Sequence, residues 1–270
     1  MKTKCKLLLL LFAVAIPLTL SGCVNQKEEE RNLAKALEEE YGEKFVVVDA
    51  FVGSANWLNV GSLEAVCYPY GKENLTFKAS YSITNKKLGD DSYVQAIVRE
   101  EAYAEMEEIL SQYYKDFFLA ADVLSPNIGY SERENYPRFT NISDVSIASY
   151  EEKYGDKMIL SFEIIFNVNE IESYEEVRDI FRRYSEKFTD WKVNYYCYYM
   201  DIEAINECKK IKQNDYWDHF YVNSKRNEWG NGIEYLYRFR EGEFYLSELQ
   251  SENSYQRFNS DGTPITESEE

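Results

Sequence analysis

Residues 191–200, WKVNYYCYYM, limit the possible folds of this chain more than any other stretch. Their β-branched and aromatic content reads as a strand, in which successive side chains point to opposite faces. Tyr195 and Tyr199 then share one face with Cys197, and Tyr196 and Tyr198 share the other. With aromatics on both faces, either the strand is covered on both sides, or one tyrosine pair is a stacking platform for a sugar or another protein's side chains. If a recognition surface exists, its candidates are Tyr196 and Tyr198 together with Trp217, His219 and Tyr221 of the segment DYWDHFY.

The rest of the chain reads as α+β. Leu33, Leu37 and Tyr41 recur every four residues and stop at Gly42, as in a helix with a glycine just past its end. Residues 45–51 and 63–68 are β-rich, and residues 75–83 alternate apolar with polar. From Asp91 the period becomes helical, through Val94, Ile97, Met106, Leu110, Tyr113 and Phe117; a strand is then expected over 117–124. The second half gives strands at 144–150 and 157–168, with Gly155 in the turn between them, and a helix opened by Ser173-Tyr174-Glu175-Glu176, a capping box. The strand over 191–200, a helix over 201–212 and a hairpin turning at Glu241-Gly242 complete it. Antiparallel sheet with helices packed on one face is the expected architecture. The order strand, strand, helix, strand occurs twice, which leaves open two ββαβ-like halves or one longer domain. The resulting division is a leader at 1–22, a tether at 23–30, a first half at 31–124, a connection at 125–143, a second half at 144–250 and a disordered acidic tail at 251–270.

Catalytic signatures are scarce. With one histidine, His219, a histidine-rich or two-histidine metal site is excluded. No phosphate-binding glycine loop, nucleophile elbow or zinc-protease motif occurs. Asn259-Ser260-Asp261-Gly262 fails as a calcium loop because Arg257 and Ser268 would stand where carboxylates are needed. No cofactor is expected. Of the 48 acidic residues some pair must lie at glycosidase spacing, so that spacing carries no information. Cys67, Cys197 and Cys208 read as small buried hydrophobes, with one disulfide as the alternative.

The first two dozen residues are more specific. Lys2, Lys4 and Lys6 precede an apolar run from Leu7 to about Leu20, too short to span roughly 30 Å of hydrocarbon and interrupted by Pro17. It ends in Leu20-Ser21-Gly22-Cys23, which resembles the lipobox of bacterial lipoproteins. That resemblance implies cleavage between Gly22 and Cys23 and a diacylglyceryl group on the Cys23 sulfur. Two acyl chains anchor stably, since each buried CH₂ contributes about 0.8 kcal/mol. Cleavage would delete three lysines and no acid, taking the net charge from −18 to −21. So acidic a surface is a poor match for nucleic acid, which needs clustered Lys and Arg.

The expectation is a lipid-anchored, extracytoplasmic binding or interaction protein of the bacterial envelope, at the cell surface in a Gram-positive cell. Its partners would be the membrane, through Cys23, and a protein, peptide or glycan ligand. The alternative is an envelope glycan hydrolase using paired carboxylates.

Overall fold

The computed structural model describes residues 25–53, 61–124, 139, 141–155, 159–188, 191–214, 233–240, 243–250 and 254–258. The chain divides into two compact units, Met1–Ser92 and Tyr93–Glu270. The division falls inside the expected first half, because the helix and strand after Ser92 belong to the second unit.

In the first unit, helix α1 (Gln26–Tyr41) precedes four strands, β1 (Phe45–Val52), β2 (Ser62–Pro69), β3 (Phe77–Ser82) and β4 (Lys87–Asp91). They form an antiparallel sheet in the order β1-β2-β3-β4. The alternation read over 75–83 appears as burial of Phe77, Ala79 and Tyr81 on one side of β3. Leu33 and Leu37 are fully buried, and Gly42 closes α1 at φ 76°, its N–H donating to the Glu38 carbonyl. A glycine adopts that left-handed conformation without a Cβ penalty.

Part of the expected tether is helical. Gln26 Nε2 donates to Glu30 Oε1 at 3.0 Å and to the Ala50 carbonyl at 2.6 Å, tying the helix start to β1. Glu28 and Glu29 in the first turn suit the positive end of the helix dipole.

Glu29 is buried and accepts from Lys86 Nζ at 2.7 Å and from Asn32 Nδ2 at 3.0 Å. Burial pushes its carboxyl pKa up, but those hydrogen bonds and the Lys86 charge outweigh burial and hold it below the ordinary range. A lowered carboxyl pKa adds stability that is complete above the unfolded-state value, about 4.3, and is lost as pH falls through the folded-state value. Glu29→Gln is therefore expected to lower the urea midpoint at pH 7, with the difference from wild type shrinking towards pH 3. A difference that does not change with pH would contradict this linkage.

The second unit is a six-stranded sheet in the order β10-β9-β8-β7-β6-β5. Helix α2 (Tyr93–Leu110) leads to β5 (Phe117–Leu124); a 3-10 turn (Ile142–Asp144) and α3 (Ile147–Tyr154) lead to β6 (Ile159–Asn167). Helix α4 (Tyr174–Ser185) then crosses to β7 (Lys192–Met200). After α5 (Ile202–Asn214) come β8 (Ile233–Arg240), β9 (Glu243–Gln250) and β10 (Ser254–Phe258). The β6–β7 pair is parallel and every other pair antiparallel, so this sheet is mixed. A helical crossover is the connection parallel neighbours require.

Several expectations need correction. Residues 147–154, read as part of a strand, form α3 because Ser146 and Ser149 make a reciprocal capping box: each hydroxyl accepts from the other's backbone N–H. The box anticipated at Ser173 is half formed; its hydroxyl accepts from Glu176 N–H but donates to Glu175 Oε2 at 2.8 Å. The helical stripe expected to run through Phe117 stops at Leu110, where the Gln112 and Tyr113 amides turn to carbonyls three residues back. The tail read as disordered contains β10, paired with β9.

The expected single helical layer is also incomplete. One face of the sheet carries Leu160, Phe162, Ile164 and Phe166 of β6 and Val193, Tyr195, Cys197 and Tyr199 of β7, packed with residues of α2, α3 and α4. The opposite face carries Phe118, Ala120, Ile165 and Tyr198, packed against Ala204, Ile205 and Cys208 of α5. Seven consecutive residues of β6 are buried, as expected of a strand covered on both sides.

Candidate functional site

Coverage of both faces answers the question raised by the tyrosine run. Tyr195 and Tyr199 are buried on the α2–α4 face, Tyr198 is buried against α5, and Tyr196 is half-buried at the edge of the α5 cluster. Tyr198 is therefore core, and the platform reading of this strand is corrected. Trp217, His219 and Tyr221 lie outside the described residues, as do Gly22 and Cys23.

Cys67, Cys197 and Cys208 are free and buried. Burial pushes the Cys67 and Cys208 thiols up to about 12, with Asp91 adding to the first and Glu207 and Glu163 to the second; burial also raises Cys197. Thiols held so high are not nucleophiles at neutral pH. Among the described residues no group of three or more His, Cys, Asp or Glu converges as a metal site. No described helix is long and apolar enough to cross a membrane.

A groove with polar and apolar walls lies between α2 and α4. Ile180, Arg183, Tyr184 and Lys187 follow at i, i+3, i+4 and i+7, so they line one stripe along and just beyond α4. Ile109, Gln112 and Tyr113 at the end of α2 form the facing wall, and the groove holds about 260 Å³. The buried face of α4 and of the turn beyond it is the apolar stripe Val177, Phe181, Tyr184 and Phe188. The missed signal was Arg183 and Lys187 flanking that stripe.

Two cations of the groove are placed differently. Lys187 Nζ donates to Glu105 Oε2 at 2.6 Å and sits 3.9 Å over the Tyr184 ring. The Tyr184 hydroxyl donates to the same Glu105 oxygen at 2.9 Å. Burial, then the Glu105 charge and this hydrogen bond, raise the Tyr184 pKa well above the usual tyrosine range, so the phenol remains a neutral donor. The charge of Lys187 is thus answered by Glu105.

Arg183 has no such partner. Its Nε donates to the Asp179 carbonyl at 3.2 Å and its Nη2 to the Tyr113 hydroxyl at 3.3 Å. Among the described residues no carboxylate pairs with it, whereas its neighbour Arg182 pairs with Glu186 at 3.3 Å and Asp179 at 3.7 Å. The Tyr113 side is 42% exposed, so this end of the groove is open.

No family model matches the chain, and no curated protein matches it. Among solved structures, a DUF5037 family protein from Ruminococcus gnavus ATCC 29149 is similar in fold. The match has a TM-score of 0.58 and 17% identity, and covers 83% of this chain and 95% of that one.

Proposed function

We propose that this protein is a lipid-anchored, extracytoplasmic binding protein of the bacterial cell envelope. The observation that carries the reading is Leu20-Ser21-Gly22-Cys23 at the end of an apolar run too short to span a bilayer. Cys23 would bear the diacylglyceryl group and become the first residue of the mature chain.

The beginning of α1 at Gln26 supports a close approach to the membrane. Between Cys23 and Gln26 the chain can extend at most about 10 Å, less than half the reach of the eight-residue tether read from sequence. A body carrying net charge −21 is then held beside headgroups that repel it wherever they are anionic. Salt limits that repulsion to about 8 Å, so two acyl chains prevail.

Two carboxylates with lowered pKa are poorly suited to the hydrolase alternative. Glu29 and Glu175 are both held low, Glu175 by the Ser173 hydroxyl, whereas a general acid needs a raised pKa. The binding reading rests on exposure of the body outside the cytoplasm. Protease added to intact cells that lack an outer membrane is expected to digest residues 25 onward. Full protection until the cells are lysed would overturn the location.

A further inference from the structure

We propose that the groove between α2 and α4 binds a carboxylate carried on a small apolar body, with Arg183 as the principal contact. The idea rests on the reading of this protein as a binding protein, and not on the Cys23 anchor.

The argument begins with hydrogen-bond capacity. A guanidinium has five N–H donors in a planar fork, and Arg183 spends one on the Asp179 carbonyl and one on the Tyr113 hydroxyl. Three remain, enough for a two-point contact with a carboxylate, the anion whose geometry this fork matches. Tyr113 strengthens the choice: its hydroxyl oxygen accepts from Arg183, which leaves its own hydrogen to donate to the same ligand.

Charge points the same way. Its neighbours Arg182 and Lys187 each pair with a carboxylate, Glu186 and Glu105. Arg183 faces a groove instead, with the apolar side chains of Ile109 and Ile180 beside it. About 260 Å³ lies just below the range of drug-sized pockets, so the occupant is small: an organic acid, or the last residue of a peptide with a free C-terminus. Glu105 would not repel it strongly, because Lys187 and the Tyr184 hydroxyl already hold that carboxylate.

The test uses the full chain purified in detergent and NMR titration of the Arg183 Nε–H and the Gln112 and Tyr113 amides. Phenylacetate is expected to bind with Kd of about 1 mM or tighter, and the neutral phenylacetamide at least about tenfold more weakly. Arg183→Gln should lose about tenfold or more, and Arg182→Gln should bind as wild type does. Tyr113→Phe, which keeps the ring and removes the hydroxyl, should fall between them. Two peptides ending in phenylalanine, one free and one amidated, separate the ligand sources: tighter binding of the free peptide than of phenylacetate assigns the groove to chain ends, and binding of phenylacetate alone assigns it to small acids. Equal binding of acid and amide, undiminished binding by Arg183→Gln, or no saturation by phenylacetate would overturn the proposal. The Cys23 anchor would be untouched by that outcome.

Discussion

Tyr195→Ala is expected to cost about 3 to 5 kcal/mol of folding free energy, the range for deleting a buried aromatic side chain. Tyr195 is fully buried in the middle of β7, its ring stacked between Phe162 (centroids 5.5 Å apart, planes at 11°) and Phe181 (4.2 Å, 11°). Its hydroxyl hydrogen-bonds with Ser185 Oγ at 2.7 Å and lies 3.3 Å from the Phe181 carbonyl, which can accept from it. The substitution empties the space between two helix-borne and sheet-borne rings and also strips a buried serine of its partner. Domains of this size have total stabilities of roughly 5 to 15 kcal/mol, so the loss is a large share. Tyr195→Phe keeps the stack and removes only the hydroxyl, at an expected cost of about 1 to 2 kcal/mol. Urea unfolding of both variants checks the pair; a loss below about 1 kcal/mol for Tyr195→Ala would show that β7 is not the centre of this core.

That prediction depends on a feature visible in the sequence as a question only. The doubled aromatic pattern of 195–199 said that both faces of the strand needed explaining, but an exposed platform and a second packed layer leave the same pattern. What decides between them is α5, whose Ala204, Ile205 and Cys208 cover Tyr198. The helices and strands with clean periods were legible: α1 from Leu33 and Leu37, β3 from its alternation, the hairpin from Glu241-Gly242. Residues 147–154 were not, because Ile147 and Tyr150 suit a strand as well as a helix, and the cap that fixes the helix is a Ser-x-x-Ser pair without the usual glutamate. The parallel β6–β7 pair was hidden for another reason. Strand order is set by which faces must be buried together, and nothing local in 159–167 or 192–200 states it. The groove was invisible for the same cause: Arg183 is one arginine among many until α2 places Tyr113 beside it.

Cys23→Ala is the second large expected effect. With the proposed anchor, acylation and the cut would both depend on the thiol, so the variant should keep its leader or be released. Once any uncleaved leader is accounted for, it should leave the detergent-extracted membrane fraction almost completely. Losing two acyl chains removes tens of CH₂ groups at about 0.8 kcal/mol each, far more than this acidic body could recover from headgroups. Cys67→Ala, Cys197→Ala and Cys208→Ala should leave partitioning unchanged, since all three thiols are buried within the fold. Any loss of fold in those variants is separable by their unfolding curves. Release by one of them with the fold intact would contradict the assignment of the anchor.

The central claim is tested most directly by the mass of the N-terminal peptide of the protein extracted from membranes of the native cell. The account predicts a peptide that begins at Cys23 and carries a diacylglyceryl-sized addition on that residue. An unmodified N-terminus at any other residue, on protein recovered in the soluble fraction, would contradict it.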